Sequence, residues 1–410
     1  MSQTKVMVAM AGAAISSVAL AGTDAIELRA DAANRTSQLA PVAGYTNGFF
    51  EIGDGANNVL RIGGTTTTRL NLSFRDDSTV GDQDDFTQGF NLPVQRLRFH
   101  GTIWDKNLSY KIQGNFSDEN PGGGTFALEE AWGAYDFENG FTVKWGQQNL
   151  GLHRVQLVDR EYQQAMDRSI AYAAFSSGYV QGAQFAYNAE QFRVIFGFHD
   201  GIGGQNADFN SAAEADFGVN ARVEFMAMGT DWNTWNYFSS WKSASEDGLL
   251  IGAGVNYQTG GETGGTADVD VIDYTIDAQW KSAGWNIFAA MYGTHIDPAG
   301  GTDFDNFGGE VSAGFFVTDQ VELFGRWDGI FLDDSVFGGD TDVHFGTVGV
   351  HYFLSPESHA VRFTFQAGYA FNDTTNVFGS SGIIGDTRHV FLGDSEEGEF
   401  TFAFQGQVIW

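Results

Sequence analysis

The last segment of the chain reads Phe400-Thr401-Phe402-Ala403-Phe404-Gln405-Gly406-Gln407-Val408-Ile409-Trp410. Successive side chains of a strand point to opposite faces, so Phe400, Phe402, Phe404, Val408 and Trp410 share one face. Thr401, Ala403, Gln405 and Gln407 share the other. A soluble domain rarely ends in mid-strand on an aromatic residue, because termini fray. In lipid an unpaired strand edge leaves backbone groups unsatisfied, so a last strand has to close on the first. The segment predicts a closed barrel whose final strand runs to Trp410.

The same alternation recurs upstream. Val361, Phe363, Phe365, Ala367 and Tyr369 alternate with Arg362, Thr364, Gln366 and Gly368, and Leu97, Phe99 and Ile103 alternate with Arg96, Arg98 and His100. Ile62, Gly64, Thr66, Thr68, Leu70, Leu72 and Phe74 stand opposite Arg61, Thr65, Thr67, Arg69, Asn71 and Ser73. A soluble sandwich would show such strands too, so the connections decide. Tight links at Asp105-Lys106-Asn107, Glu138-Asn139-Gly140, Asn188-Ala189-Glu190, Ser282-Ala283-Gly284, Thr318-Asp319-Gln320 and Ser355-Pro356-Glu357-Ser358 take turns with longer acidic ones. That is the short-periplasmic, long-extracellular asymmetry of bacterial outer-membrane barrels.

Alternating stretches number about seventeen, whereas a single-chain barrel that starts and ends in the periplasm needs an even count. Turn parity slips only between the strands near 215–227 and 249–259, which singles out the Trp-rich piece from Trp232 to Trp241 as a long periplasmic excursion. The expected fold is an all-β, transmembrane antiparallel β-barrel of about sixteen strands with an inward-folded constriction loop. It spans 48–410. Lys5, the apolar run Val6–Leu20 and Ala19-Leu20-Ala21 read as a signal peptide over 1–21, and the polar stretch 22–47 as a periplasmic leader.

Composition agrees. An exported chain with 54 Gly, 15% aromatic residues and no Cys suits many strands and Gly-rich turns in an oxidising envelope. A net charge of −31 argues against nucleic-acid binding, which needs an excess of Lys and Arg. The acids crowd the long connections: Asp76, Asp77, Asp82, Asp84 and Asp85; Asp297, Asp303 and Asp305; Asp333, Asp334 and Asp340; Asp394, Glu396, Glu397 and Glu399. No connection has the D-x-[DN]-x-[DN]-G spacing of a calcium loop, so these acids read as surface charge on the lipopolysaccharide side. Strand parity puts Arg61, Arg69, Arg96, Arg98, Lys111, Lys144, Arg193, Arg222, Arg326 and Arg362 on the lumen face, against fewer acids such as Glu224, Asp273, Asp277, Glu310 and Asp328. A basic wall with acidic mouths would bias which solutes pass, although a polar lining keeps any such channel wet.

The longest non-alternating connection runs from about Gln148 to Gly178 and mixes both charge signs with apolar residues. It is expected to fold inward as a constriction, with Arg154, Asp159, Arg160, Glu161, Asp167 and Arg168 as its charged residues.

Three stretches resemble the O/P porin family: Gln95-Arg96-Leu97-Arg98-Phe99-His100-Gly101-Thr102, Leu128-Glu129-Glu130-Ala131-Trp132 and Val143-Lys144-Trp145-Gly146-Gln147-Gln148-Asn149-Leu150-Gly151. Asp167-Arg168-Ser169 is similar to the motif that closes the family's inward loop. The resemblance covers the mature chain, strongest from 91 to 200, and implies a sixteen-stranded porin, usually a homotrimer. Phosphate selectivity is not carried over, because in that family it depends on a dense Arg and Lys ladder with a Lys-rich entrance, and the entrance here is acidic.

The reading is a passive outer-membrane channel for small hydrophilic solutes with a modest anion preference. It needs no cofactor or metal, and its partners are outer-membrane lipid, lipopolysaccharide and the solutes themselves. Two alternatives fit the residues less well. A barrel hydrolase lacks G-x-S-x-G, H-E-x-x-H and P-loop motifs, and Ser381, Asp386 and His389 are close only within one loop. For a secreted carbohydrate-binding protein the ten Trp would be stacking platforms, whereas in a barrel they form interfacial girdles.

Overall fold

The computed structural model describes residues 44–46, 49–54, 57–78, 86–117, 124–242, 247–261, 267–339, 341–378, 383–384, 390–393 and 395–410. The expected signal peptide, most of the leader, Asp82, Asp84, Asp85, Asp340 and Asp394, and the Ser381, Asp386, His389 group lie outside these residues.

Sixteen antiparallel strands close into a barrel. They are β1 (Val59–Ser78), β2 (Phe86–Asn91 and Gln95–Ile103), β3 (Asp105–Asn115), β4 (Ala127–Asp136), β5 (Phe141–Asn149), β6 (Tyr179–Asn188), β7 (Phe192–His199) and β8 (Phe217–Met228). Then follow β9 (Gly248–Thr259), β10 (Val269–Ser282), β11 (Trp285–Pro298), β12 (Phe304–Phe316), β13 (Val321–Phe331), β14 (Asp342–Phe353), β15 (Val361–Ala370) and β16 (Ser395–Ile409). Each pairs with the next. Strand β2 breaks at Leu92-Pro93-Val94, where proline has no N–H to give the ladder, yet both halves pair with β1, at Leu70↔Phe90 and Ile62↔Phe99.

Closure is as the C-terminal alternation requires. Strand β16 pairs with β1 in the register Phe404↔Leu70 and Gln405↔Arg69. At its end the Gly64 N–H donates to the Trp410 carbonyl at 2.6 Å, and the Trp410 N–H donates back at 2.9 Å. Only glycine fits at position 64. A Cβ there would lie 2.4 Å from the Arg96 carbonyl and 2.9 Å from the Trp410 indole. Below Trp410 a short strand, Phe49–Gly53, takes over the same edge of β1 through Phe50↔Ile62 and Gly53↔Val59, a continuation that parity reading did not anticipate.

Strand faces follow the predicted parity. Phe400, Phe404, Val408 and Trp410 are exposed on the outside, while Thr401, Ala403, Gln405 and Gln407 are buried inside. Aromatic contacts gather at both strand ends, as interfacial girdles require: Phe74 with Phe86 and Phe217 with Tyr257 at one, Phe141 with Tyr187 and Trp285 with Phe315 at the other. Trp104 is exposed at a turn, with φ 69°, so the first tight reversal sits one residue before the predicted Asp105-Lys106-Asn107. Trp145 lies mid-strand facing outward, not at a strand end.

Two expectations need correction. Glu399 is not part of an acidic mouth. Its side chain is buried on β16, accepting from the Ser73 hydroxyl at 2.6 Å and from the Leu392 and Gly393 N–H groups. Nor is the interior polar throughout. On β11 to β15 the inward positions carry Phe288, Ala290, Tyr292, Ile330, Val343, Phe345 and Ala370, which pack with Val155, Ile170 and Phe175 of the inward loop and with Phe378 and Phe391 from above. At about 25 cal/mol per Å² of apolar area, such a core holds a loop in place far more firmly than surface contacts would. Runs apolar at both parities, such as Ile287-Phe288-Ala289-Ala290-Met291-Tyr292, were its sequence signal.

Candidate functional site: the inward loop and the basic wall

The connection between β5 and β6 turns into the barrel and crosses it. It contains two short helices, α1 (Arg154–Leu157) and α2 (Ile170–Ala174), with a 3-10 turn at Arg160–Tyr162 between them. Ser169 caps α2, its hydroxyl accepting from the Tyr172 N–H at 2.8 Å.

Of the six predicted loop residues, Arg154, Asp159, Glu161 and Asp167 meet charged groups of the wall, whereas Arg160 and Arg168 contact other residues of the loop. Asp167 accepts both ends of the Arg69 guanidinium at 2.8 Å, and Gln405 of the closing strand accepts the Arg69 Nε–H at 2.9 Å. Glu161 receives Arg96 at 3.0 Å and Arg98 in a shorter contact, and its backbone carbonyl accepts from Gln407 at 3.1 Å. Asp159 lies 3.7 Å from Arg98, and Arg160 lies 3.6 Å from Asp167. Arg154 is 3.6 Å from Glu224. Arg168 donates to the Gln156 and Val158 carbonyls and faces the Tyr172 ring. Burial alone would push the Glu161 carboxyl up; the Arg98 and Arg96 guanidinium groups outweigh it and hold Glu161 below the usual carboxylate range. Asp159 is held low for the same reason, against its own burial, chiefly by Arg98.

The wall residues divide into two tiers. Arg69, Arg96, Arg98 and Arg222 point inward as parity predicts, but the loop covers them and carboxylates match them; Arg222 pairs with Asp277 at 2.7 Å and Glu224 at 3.0 Å. Arg326 and Arg362 donate to the Asp167 and Gln163 carbonyls, so they too hold the loop. The second tier is nearer the periplasmic end of β1 to β7. There Arg61, His100 and Lys111 lie in one row across β1, β2 and β3, with Lys144 and Arg193 further round, and all five keep contact with solvent. Glu51 pairs with Arg61 and Glu130 with Lys111, each at 2.7 Å. The Lys144 ammonium sits 5.5 Å from the Trp132 ring centre.

Above the loop is a cavity of about 330 Å³, lined in part by Arg96, Glu129, Arg160, Arg168, Tyr172 and Tyr179. Open space therefore lies on the β1 to β7 side of the loop. Glu129 was not among the predicted site residues. Adjacent Glu129 and Glu130 cannot both face inward in a regular strand, but a register shift opposite Gln113 and Gly114 turns both to the lumen, where Glu129 meets Arg96 at 2.7 Å.

The family model for phosphate-selective porin O and P matches residues 65–377. The chain belongs to that family. No curated protein matches this porin by sequence. Among solved structures it is similar to the anion-selective porin of Comamonas acidovorans, with 12% identity, TM-score 0.62, and 86% of this chain and 99% of that one covered. It is also similar to Salmonella typhi OmpF in complex with daunomycin, with 12% identity, TM-score 0.58, and 87% and 100% covered. Pseudomonas putida OprB, in a high-pH structure, has 11% identity, TM-score 0.57, and 85% and 94% covered. At such identities the likeness establishes the fold. The family adds the function: the porin is an outer-membrane channel.

Proposed function

We propose that the porin passes small hydrophilic solutes by passive diffusion with a modest preference for anions. The observation that carries this reading is the charge balance where solvent reaches. Arg160 and Arg168 line the cavity above the loop beside the buried Arg96–Glu129 pair, and in the space below Arg61, Lys111, Lys144 and Arg193 stand against two carboxylates, Glu51 and Glu130. The upper arginine ladder supports no phosphate specificity, because Asp167, Glu161 and Glu129 already match Arg69, Arg96 and Arg98.

Reversal potentials in a salt gradient test the proposal. The purified porin should favour anion over cation by about two- to fivefold, since a small excess of cationic over carboxylate side chains biases a wet pore without closing it to either ion. Exchanging Arg160 and Arg168 for Glu should carry the preference to cations. Clear cation selectivity in the wild type would refute the reading.

The domain assignment belongs to the same proposal: residues 1–21 are a cleaved signal peptide, 22–47 a periplasmic leader, and three copies associate in outer-membrane lipid beneath lipopolysaccharide. Native mass spectrometry of detergent-extracted porin should give three chains, each beginning near Gly22. A monomer, or a chain retaining Met1, would overturn the corresponding part.

A further inference from the structure

Six of the periplasmic connections are short, but the one between Met228 and Gly248 is not. Strand parity places this connection at the periplasmic mouth, and its aromatic residues would ordinarily belong to the outer girdle. They do not. Trp235, Phe238 and Trp241 are all buried, at 1%, 2% and 4% exposure, with their rings inside the barrel. Trp235 packs with Met226 and Leu250. Phe238 meets Phe288 edge-on at 5.1 Å, and Trp241 lies against Phe316 and Phe353 at 4.9 and 4.7 Å. The segment thus fills the lumen beneath the apolar core on the β8 to β15 side.

Polar contacts latch it there. The Lys281 ammonium, fully buried on β10, donates to three carbonyls of the segment, those of Thr234 at 2.8 Å, Ser239 at 3.1 Å and Tyr237. An ammonium has three donors, so this one is satisfied entirely by the segment's backbone. Two further contacts reach the inward loop: Arg154 donates to the Trp235 carbonyl, and the Phe238 N–H donates to the Tyr162 carbonyl at 3.0 Å. On the open side, Trp232 lies 3.9 Å from the Arg193 guanidinium and donates to the Ala189 and Glu190 carbonyls.

We infer that Asp231–Lys242 is a periplasmic plug that sets the size limit of the exit, confining solutes to the passage beside Arg193 and bracing the inward loop from below. The physical argument is one of space and attachment. Buried rings occupy the lumen where a tight turn would leave it open, and Lys281 joins the plug to the wall while Arg154 and Tyr162 join it to the loop. A solute leaving the cavity near Arg160 and Arg168 has only the β1 to β7 side left to it.

The inference rests on the channel reading, and the test separates the two. Single-channel conductance and exclusion of neutral polyethylene glycols of graded size would be recorded for the wild-type porin and two variants. In the first, Gly229–Asp247 is replaced by a two-residue Asn-Gly turn, which suits a tight hairpin. In the second, Lys281→Gln keeps the segment but removes its latch. The deletion should raise conductance about twofold or more and admit polymers that the wild type excludes, because a wider pore passes more ions and larger solutes. Lys281→Gln should flicker between the wild-type level and the higher one. A folded deletion variant that conducts and excludes like the wild type overturns the plug. If the deletion does not fold, a steady wild-type level in Lys281→Gln overturns it instead. A silent wild type with a conducting deletion would refute the open channel and support the plug, whereas silence in all three would refute both.

Discussion

Replacing Glu161 with alanine should release the inward loop from β1 and β2 and lower the stability of the folded barrel by about 3–5 kcal/mol, the usual cost of removing one partner from a buried ion pair. The Glu161 carboxylate is buried and serves three groups at once: Arg96, Arg98 and the Thr65 hydroxyl at 3.2 Å. Alternative partners are incomplete. Arg96 would keep Glu129, and Arg98 would keep Gln113 at 2.6 Å with Asp159 at 3.7 Å, leaving two guanidinium groups with one strong carboxylate between them. Water entering from the passage would recover part of the loss, so the lower end of the range is the better estimate. Conductance should rise and anion preference strengthen, since the variant exposes positive charge that Glu161 now covers. Glu161→Gln keeps an acceptor and should lie between alanine and wild type. Unchanged thermal unfolding on a heat-modifiability gel, together with unchanged conductance, would show that Glu161 does not hold the loop.

An arginine in place of Phe404 should cost a further large amount, about 2–4 kcal/mol if the position sits near the bilayer midplane. Phe404 is mid-strand on β16, half exposed on the outer face, opposite Leu70 on one side and Phe365 on the other. Nothing in a water-exposed strand would penalise that change so heavily. Phe209, almost fully exposed in the connection between β7 and β8, is the control: Phe209→Arg should shift stability by no more than about 0.5 kcal/mol. Urea-dependent folding into lipid vesicles reads both. Equal stability of the two variants would be incompatible with Phe404 facing lipid.

Much of the candidate site was legible in the chain. Period-2 alternation placed Arg69, Arg96, Arg98 and Arg222 inward, because a strand's side chains have only two directions. The position and mixed character of the 150–178 connection marked it as folding inward, and Asp159, Glu161 and Asp167 do lie beside the wall. What parity could not supply was partnership. Whether Arg98 lines an open passage or clamps a carboxylate depends on where Glu161 lies, 63 residues away. Glu129 was hidden for a related reason, since a bulge breaks the period on which the reading rests.

The chain alone settles the barrel and, apart from the bulge at Glu129, its strand parity: alternation is local, an even count is arithmetic, and a strand with an apolar outer face must have its backbone paired in lipid, as β16 has against β1. The interior was decided by the tertiary structure. The apolar core around Phe288 and Phe345, the plug at Trp235 and Trp241, and the pairing of wall cations with loop acids all join segments far apart in sequence. Such contacts arise only once closure has enclosed a fixed volume, and what fills that volume depends on shape and charge in three dimensions, which strand periodicity does not encode.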